Sequence, residues 1–342
     1  MHEQIAVAQS AGRAGGQLRR LGQGLALLAL LALAALPLFM SPYQLRTYTT
    51  LLLLALMAQG WNLIGGYTGY AAFGNVAFFG IGAYTTGLLM LSPWQVPFFV
   101  ALIAGALVAA LVATLVGLPV LRLKGHYFAI ATLGVAEALR QIADAWDGLT
   151  NGSTGIDLPL NPSDSFFYYT ALALVTLGVL ATWLLVRSKI GYGWVAIRED
   201  EDAARMLGIN TTRFKVLAFA ISAVFAALAG GVTAYQNIHV TPTDFFKIDY
   251  TLQMIIAVIL GGSGTIFGPL IGAALYQLLS TYLWGQFIEL HPTFLGLIII
   301  FVIVFLPRGL MQLIPAIIAI VTRRRAFRWQ SLFANIRANR VR

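Results

Sequence analysis

The residues able to do chemistry in this chain are few. A phosphate cradle that hydrolyses a nucleotide needs a Lys followed by Ser or Thr. Lys124 is followed by Gly, Lys189 by Ile, Lys215 by Val and Lys247 by Ile, so no Walker-type site is present and any ATP must be hydrolysed by a partner. There are no cysteines and only four scattered histidines. Thiolate nucleophiles, disulfides and cysteine-ligated metal centres are thereby excluded, and no metal site is expected. No paired acids, Ser–Lys pair or histidine constellation falls inside an apolar segment, which argues against an intramembrane enzyme. Glu137 is the one convincing acid within an apolar segment, with Arg140 at i+3 on the same helix face. The sequence favours a neutralised pair near the helix end, snorkelling toward the outer interface; a place on a substrate path is the alternative.

A second group of chemically useful residues is the acidic run Glu199-Asp200-Glu201-Asp202, followed by Ala203, Ala204, Arg205, Met206 and Leu207 and closed by Gly208. Four negative charges suit a helix N-terminus, the next residues are good helix formers, and Gly208 supplies a stop. The predicted short helix offers a close backbone approach at Ala203 and Ala204, apolar knobs at Met206 and Leu207, and charge at Glu199, Glu201 and Asp202. A soluble partner could grip it; an amphipathic helix resting on a membrane is the other reading.

The elements that must position these residues follow from composition. The chain has 342 residues, 59% apolar and 10% charged, against about 25% charged in a soluble domain. Mean hydropathy is +0.80, and lipid is the solvent that fits. The predicted fold is an all-α polytopic membrane protein of about ten spans, some of them broken or re-entrant. They cover Leu25–Met40, 48–64, 70–90, 94–118, 127–143, 166–186, 214–235 and 251–261, with two more following Pro269 and His291. The first is read as an uncleaved anchor. Basic clusters at Arg13, Arg19 and Arg20, at Arg122 and Lys124, from Arg187 to Lys215 and from Arg308 onward then share one side, which is cytoplasmic by the positive-inside rule. Asp144, Asp147, Asp157, Asp164, Asp244, Asp249 and Glu289 fall on the other side. The net charge of +9 therefore points to lipid headgroups and not to nucleic acid. Organisation divides into a basic N-terminal segment (1–24), a membrane domain (25–307) with its loop 187–215, and an interfacial helix with a basic tail (308–342). Trp61, Trp94, Trp183 and Trp284, with Tyr48, Tyr168, Tyr169 and Tyr282, are expected in interfacial belts. Glycines cluster within spans at 60–87 and 261–272, marking either close packing or a pair of interrupted spans along a route.

Several stretches together resemble one family. Ala196 to Asn210 is similar to the cytoplasmic loop of bacterial branched-chain amino acid ABC-transporter permeases of the LivM type, with Asp202-Ala203-Ala204 and Gly208 matching a Glu-Ala-Ala-(three residues)-Gly signature except for Asp at 202. Gly74 to Tyr84, Leu121 to Gly134, Thr150 to Ile156 and Gly261 to Pro269 resemble further motifs of that family, and the likeness covers about 51–307. The resemblance implies a permease subunit, without a catalytic site, in an importer of leucine, isoleucine and valine. It further implies a multi-pass protein of the bacterial inner membrane with both termini cytoplasmic. The implied partners are a homologous second permease, two cytoplasmic ATPase subunits that use ATP and Mg, and a periplasmic substrate-binding protein. Glu199, Glu201, Asp202, Ala203, Ala204 and Gly208 would form the ATPase-coupling loop. Asn62, Asn75, Thr85, Thr132, Glu137 and Gln253 are the polar candidates for screening an amino acid in transit, although polar residues in spans more commonly bond across helices. A urea or short-chain amide importer permease, and an ion-coupled secondary carrier, are the alternatives.

Overall fold

A computed structural model describes residues 31–91, 93–159, 162–286, 296 and 309–312, and of 283–286 the backbone alone. The start of the first expected span, the tenth span, and the basic terminal segments lie outside the described residues.

Helix α1 (Pro42–Trp61) opens with a capping box: Ser41 Oγ accepts from Gln44 N–H, and the Gln44 side chain accepts from Ser41 N–H at 2.9 Å. Its leucine run is enclosed on every side from Leu52 to Trp61, and a wider π-helical turn extends it over Asn62–Tyr67. α2 (Val76–Met90) and α3 (Phe98–Val120) follow, then α4 (His126–Ala145) and α5 (Asp164–Arg187). α6 (Lys189–Glu199) and α7 (Glu201–Met206) are short and lead into α8 (Thr211–Asn237); α9 (Asp249–Gly261) and α10 (Gly268–Gln286) complete the order. Among the described residues, four stretches, Pro42–Tyr67, Phe98–Val120, Asp164–Arg187 and Thr211–Asn237, are long and apolar enough to cross a membrane.

α8 is the central pillar, packed against α1, α2 and α3. Its small residues Ala218, Ser222, Ala223, Ala226, Ala227 and Gly230 are buried, which lets neighbouring backbones approach. A Cβ on Gly82 would lie 2.2 Å from the Ala227 carbonyl oxygen, so α2 and α8 touch backbone to backbone there. α3 turns Ala101, Ala109 and Ala113 inward and leaves Phe99, Ile103, Leu107, Leu111 and Leu115 outward, an apolar stripe suited to lipid or another membrane subunit.

The two ends differ in charge as expected, with one correction: Asp249, expected among the outer acids, opens α9 beside the start of α2. At one end Lys124 pairs with Asp202 at 3.0 Å, Lys215 with Glu201 at 2.8 Å, and Arg187 lies 4.3 Å over the Trp183 ring. Gly309 lies against Gly262 at this same basic end. At the acidic end Arg46 pairs with Asp164 at 2.8 Å. A two-stranded ribbon there joins β1 (Ile156–Asp157) antiparallel to β2 (His239–Val240). Two aromatic assignments are corrected. Trp61 and Tyr168 are buried, not interfacial, because the indole N–H of Trp61 donates to the Ala72 carbonyl at 2.7 Å and Tyr168 packs in the core.

Candidate functional site

The acidic run divides between two helices. Glu199 ends α6; Asp200 then takes extended backbone angles and caps α7, its Oδ1 accepting from Asp202 and Ala203 N–H at 2.9 Å each. The four acids therefore do not share one helix N-terminus, since the chain needs a break at Asp200 to turn between α6 and α7. α7 is closed just past its C-cap Leu207 by Gly208, whose φ of +83° suits glycine, with Gly208 N–H donating to the Arg205 carbonyl and Ile209 N–H to that of Ala204. That closure is the Schellman arrangement.

α7 has two unlike faces. Ala204 is buried, and the Glu201 side chain is only 9% exposed. Glu201 accepts from Lys215 Nζ at 2.8 Å, from Arg205 at 3.2 Å and from the Tyr70 hydroxyl. Lys215, 3% exposed, also donates to the Leu121 carbonyl at 2.8 Å and sits 4.5 Å over the Tyr70 ring. Burial opposes ionisation of Glu201, yet the Lys215 and Tyr70 hydrogen bonds outweigh it and hold the carboxyl below its ordinary range. The outward face carries Asp202 and Ala203 with Met206 89% and Leu207 81% exposed, while Glu199 at the end of α6 and Gly208 beyond α7 are exposed beside it.

Arg198, projecting from α6, joins this platform to the membrane helices. Its guanidinium donates to the Gly66 carbonyl at 2.8 Å in the π turn, and a Cβ on Gly264 would lie 2.6 Å from it. The Asn62 side chain closes the same joint by donating to the Thr265 carbonyl and accepting from Gly264 N–H, both at 2.8 Å. The two glycine clusters therefore meet at the basic end, and buried Asn62 holds them together.

Above this joint the third expected span begins without helix, and the eighth is a short unbroken helix, α9, that stops at Gly261. Residues 68–75 run without helix, tied by Phe73 N–H to Thr132 Oγ1 at 3.0 Å. Asn75 donates to Ser222 Oγ at 2.5 Å, and Val76 N–H to Thr251 Oγ1 at 3.0 Å. Ser222 lies eleven residues into α8, about 16 Å from its basic end at 1.5 Å per residue. The 15-residue α2 and the 13-residue α9 span only about 20 Å each and start against each other near mid-depth. Asn75 Oδ1 and both polar atoms of Gln59 are buried without a hydrogen-bond partner.

Of the polar residues singled out in the spans, Asn62, Asn75 and Thr132 are buried in cross-helix bonds, while Thr85 and Gln253 are half-buried. Glu137 is exposed and pairs with Arg140 at 2.6 Å. One reading is corrected: α4 continues to Ala145, so Glu137 sits eight residues and Arg140 five residues inside the helix and not at its end. Sequence reasoning missed Tyr70, Arg198, Lys215, Ser222 and Thr251 as site residues. Lys215 had a signal, as a lysine one residue inside the apolar run that begins at Phe214.

No solved structure matches the chain. The LivM permease protein of the high-affinity branched-chain amino acid transport system is 33% identical over 323 residues in both Salmonella typhimurium and Escherichia coli, covering 85% of this chain and 75% of each relative. The autoinducer 2 import system permease protein LsrC of Escherichia coli O157:H7 is 28% identical over 306 residues, covering 82% of this chain and 85% of that relative. Residues 43–303 match the family model for the permease component of the branched-chain amino acid transport system. With the polytopic helical fold, this match makes the chain a member of the branched-chain amino acid transport permease family.

Proposed function

We propose that this chain is the membrane-spanning permease subunit of an ATP-binding cassette importer that moves branched-chain amino acids across the bacterial inner membrane. Separate ATPase subunits supply the energy, a homologous permease completes the pathway, and a binding protein delivers substrate at the acidic end. The basic end, with both termini, faces the cytoplasm, in keeping with the positive-inside rule. One observation carries the reading: α7 presents Asp202, Ala203, Met206 and Leu207 outward, while Glu201 and Ala204 anchor its inner face. Two large apolar side chains on a charged surface suit a protein partner, and the buried ion pair makes the helix a rigid handle.

Closure of the ATPase pair would push on α7. Glu201 and Arg198 would pass the displacement to Lys215, Tyr70 and the joined glycine loops. The half-helices would then rock between outward-open and inward-open states, which is alternating access around a midplane route. The chain itself makes and breaks no bonds in this scheme.

The test is co-purification of the ATPases with the intact chain, with Asp202→Lys, and with the double variant Met206→Ser/Leu207→Ser, at matched expression in cells carrying the whole transport system. Loss of both ATPase and leucine uptake in the variants, with the permease still folded, is the expected result. Uptake without any co-purifying ATPase would overturn the reading in favour of an ion-coupled carrier. Competition of leucine uptake by urea or a short-chain amide would redirect the substrate assignment.

A further inference from the structure

α4 is built unlike the other long helices. Its 20 residues span about 30 Å, the thickness of a bilayer core. Phe128, Thr132, Ala136 and Ala143 form its buried side, at the spacing of one helix face. The opposite side is uncovered and carries Tyr127, Ile130, Gly134, Glu137, Gln141 and Ile142. Glu137 is eleven residues from His126 and eight from Ala145, about 16 Å and 12 Å along the axis. Its neighbour Ala136 packs against Val76 and Ala77, where α2 begins. The acid therefore lies at the level where the two half-helices start.

The Glu137 side chain is 56% exposed. Arg140 grips it through Nη2 to Oε1 at 2.6 Å and Nε to Oε2 at 3.0 Å, and Gln141 donates to Oε1 at 2.9 Å. Ionised groups at bilayer depth face protein or a water-filled cavity and not lipid. A neutral pair of opposite charges matches a neutral ligand that also carries both charges. Arg presents a planar fork to a carboxylate, and Glu accepts from an ammonium. Ile130 and Leu133, exposed on the same face two turns and one turn before Glu137, offer apolar contact beside the pair.

We infer that Glu137 and Arg140 form a subsite that reads the zwitterion of an α-amino acid in transit: Arg140 takes the α-carboxylate and Glu137 the α-ammonium. The substrate exchanges the internal ion pair for two intermolecular ones, so the site carries no net charge before or after. This rests on the importer reading proposed above.

The test uses the purified complex of both permeases and the ATPases in proteoliposomes, with binding protein, ATP and labelled leucine. Glu137→Gln and Arg140→Gln should each raise KM or lower the uptake rate by at least about tenfold, the worth of one charge-assisted hydrogen bond, in complexes that still assemble. The exchange Glu137→Arg/Arg140→Glu restores the ion pair but reverses its polarity, so it should remain defective. Rescue by this exchange shows a merely structural pair and overturns the proposal. The chain has no cysteine, and a Cβ at Gly134, three residues before Glu137, meets nothing within 4 Å. Gly134→Cys should therefore react with a charged maleimide and be protected during leucine turnover. A thiol that never reacts, together with loss of the second permease from the exchange variant, would assign this face to the subunit interface instead. Absence of ATP-dependent leucine uptake by the unaltered complex would overturn the importer reading itself.

Discussion

Replacing Lys215 by methionine tests the buried ion pair that anchors α7. Lys215 is 3% exposed and makes three hydrogen bonds, to Glu201 at 2.8 Å, to the Leu121 carbonyl at 2.8 Å and to the Tyr70 hydroxyl at 3.1 Å. It also stands in the second turn of α8, near the helix end that disfavours a cation, and Glu201 is its counter-charge. The Lys215→Met variant would leave Glu201 ionised, 9% exposed, and held by Tyr70, Thr211 and the mostly exposed Arg205. Stranding one partner of a buried pair costs about 3–5 kcal/mol, and the retained bonds place this case near 3 kcal/mol. Glu201→Gln in the same chain removes the stranded charge while still accepting from Tyr70, so the double variant should recover about 1–2 kcal/mol of that loss. The assay is a double-mutant cycle by denaturant unfolding of the purified protein in detergent, with ATPase co-purification scored in parallel. Stability of Lys215→Met within about 0.5 kcal/mol of the parent would refute the reasoning, because surface substitutions alone cost that little.

Three further outcomes follow from the geometry. Gly264 has φ +72° and its Cβ would press on Arg198 at 2.6 Å, so Gly264→Ala should cost about 1–2 kcal/mol and lower transport per ATP hydrolysed, measured by unfolding and by coupled uptake. Asn62→Leu strands Gly264 N–H and the Thr265 carbonyl, and should destabilise by about 1–3 kcal/mol in the same unfolding assay. The Glu201 carboxyl is held below its ordinary pKa of 4.5, so its contribution to stability is fully present above that pH and is lost as pH falls through the lower folded value. Unfolding measured across acid pH should show this loss in the parent and not in Glu201→Gln.

The helical architecture was legible because lipid imposes long apolar runs, while the glycine clusters at 60–87 and 261–272 left close packing and interrupted spans both open. The helix stop at Gly208 was equally readable, since a left-handed closure wants glycine. Other features were not, because they depend on contacts distant in sequence. Glu201 reads as a surface acid until Lys215 and Tyr70 fold over it. Asn62 reads as a pathway residue until Gly264 and Thr265 arrive from 202 and 203 positions away. The depth of Glu137 depended on where α4 stops, and Ala145 lies beyond the apolar run that ends at Ala143.

The central claim, that this permease couples ATP hydrolysis by docked partners to amino-acid import, is tested most directly by leucine uptake into proteoliposomes holding the whole complex, with ATP supplied to the ATPases and ion gradients collapsed. The account predicts uptake that requires ATP and binding protein and disappears in the double variant Met206→Ser/Leu207→Ser. Uptake that persists without ATP, or that follows an imposed ion gradient, would contradict it.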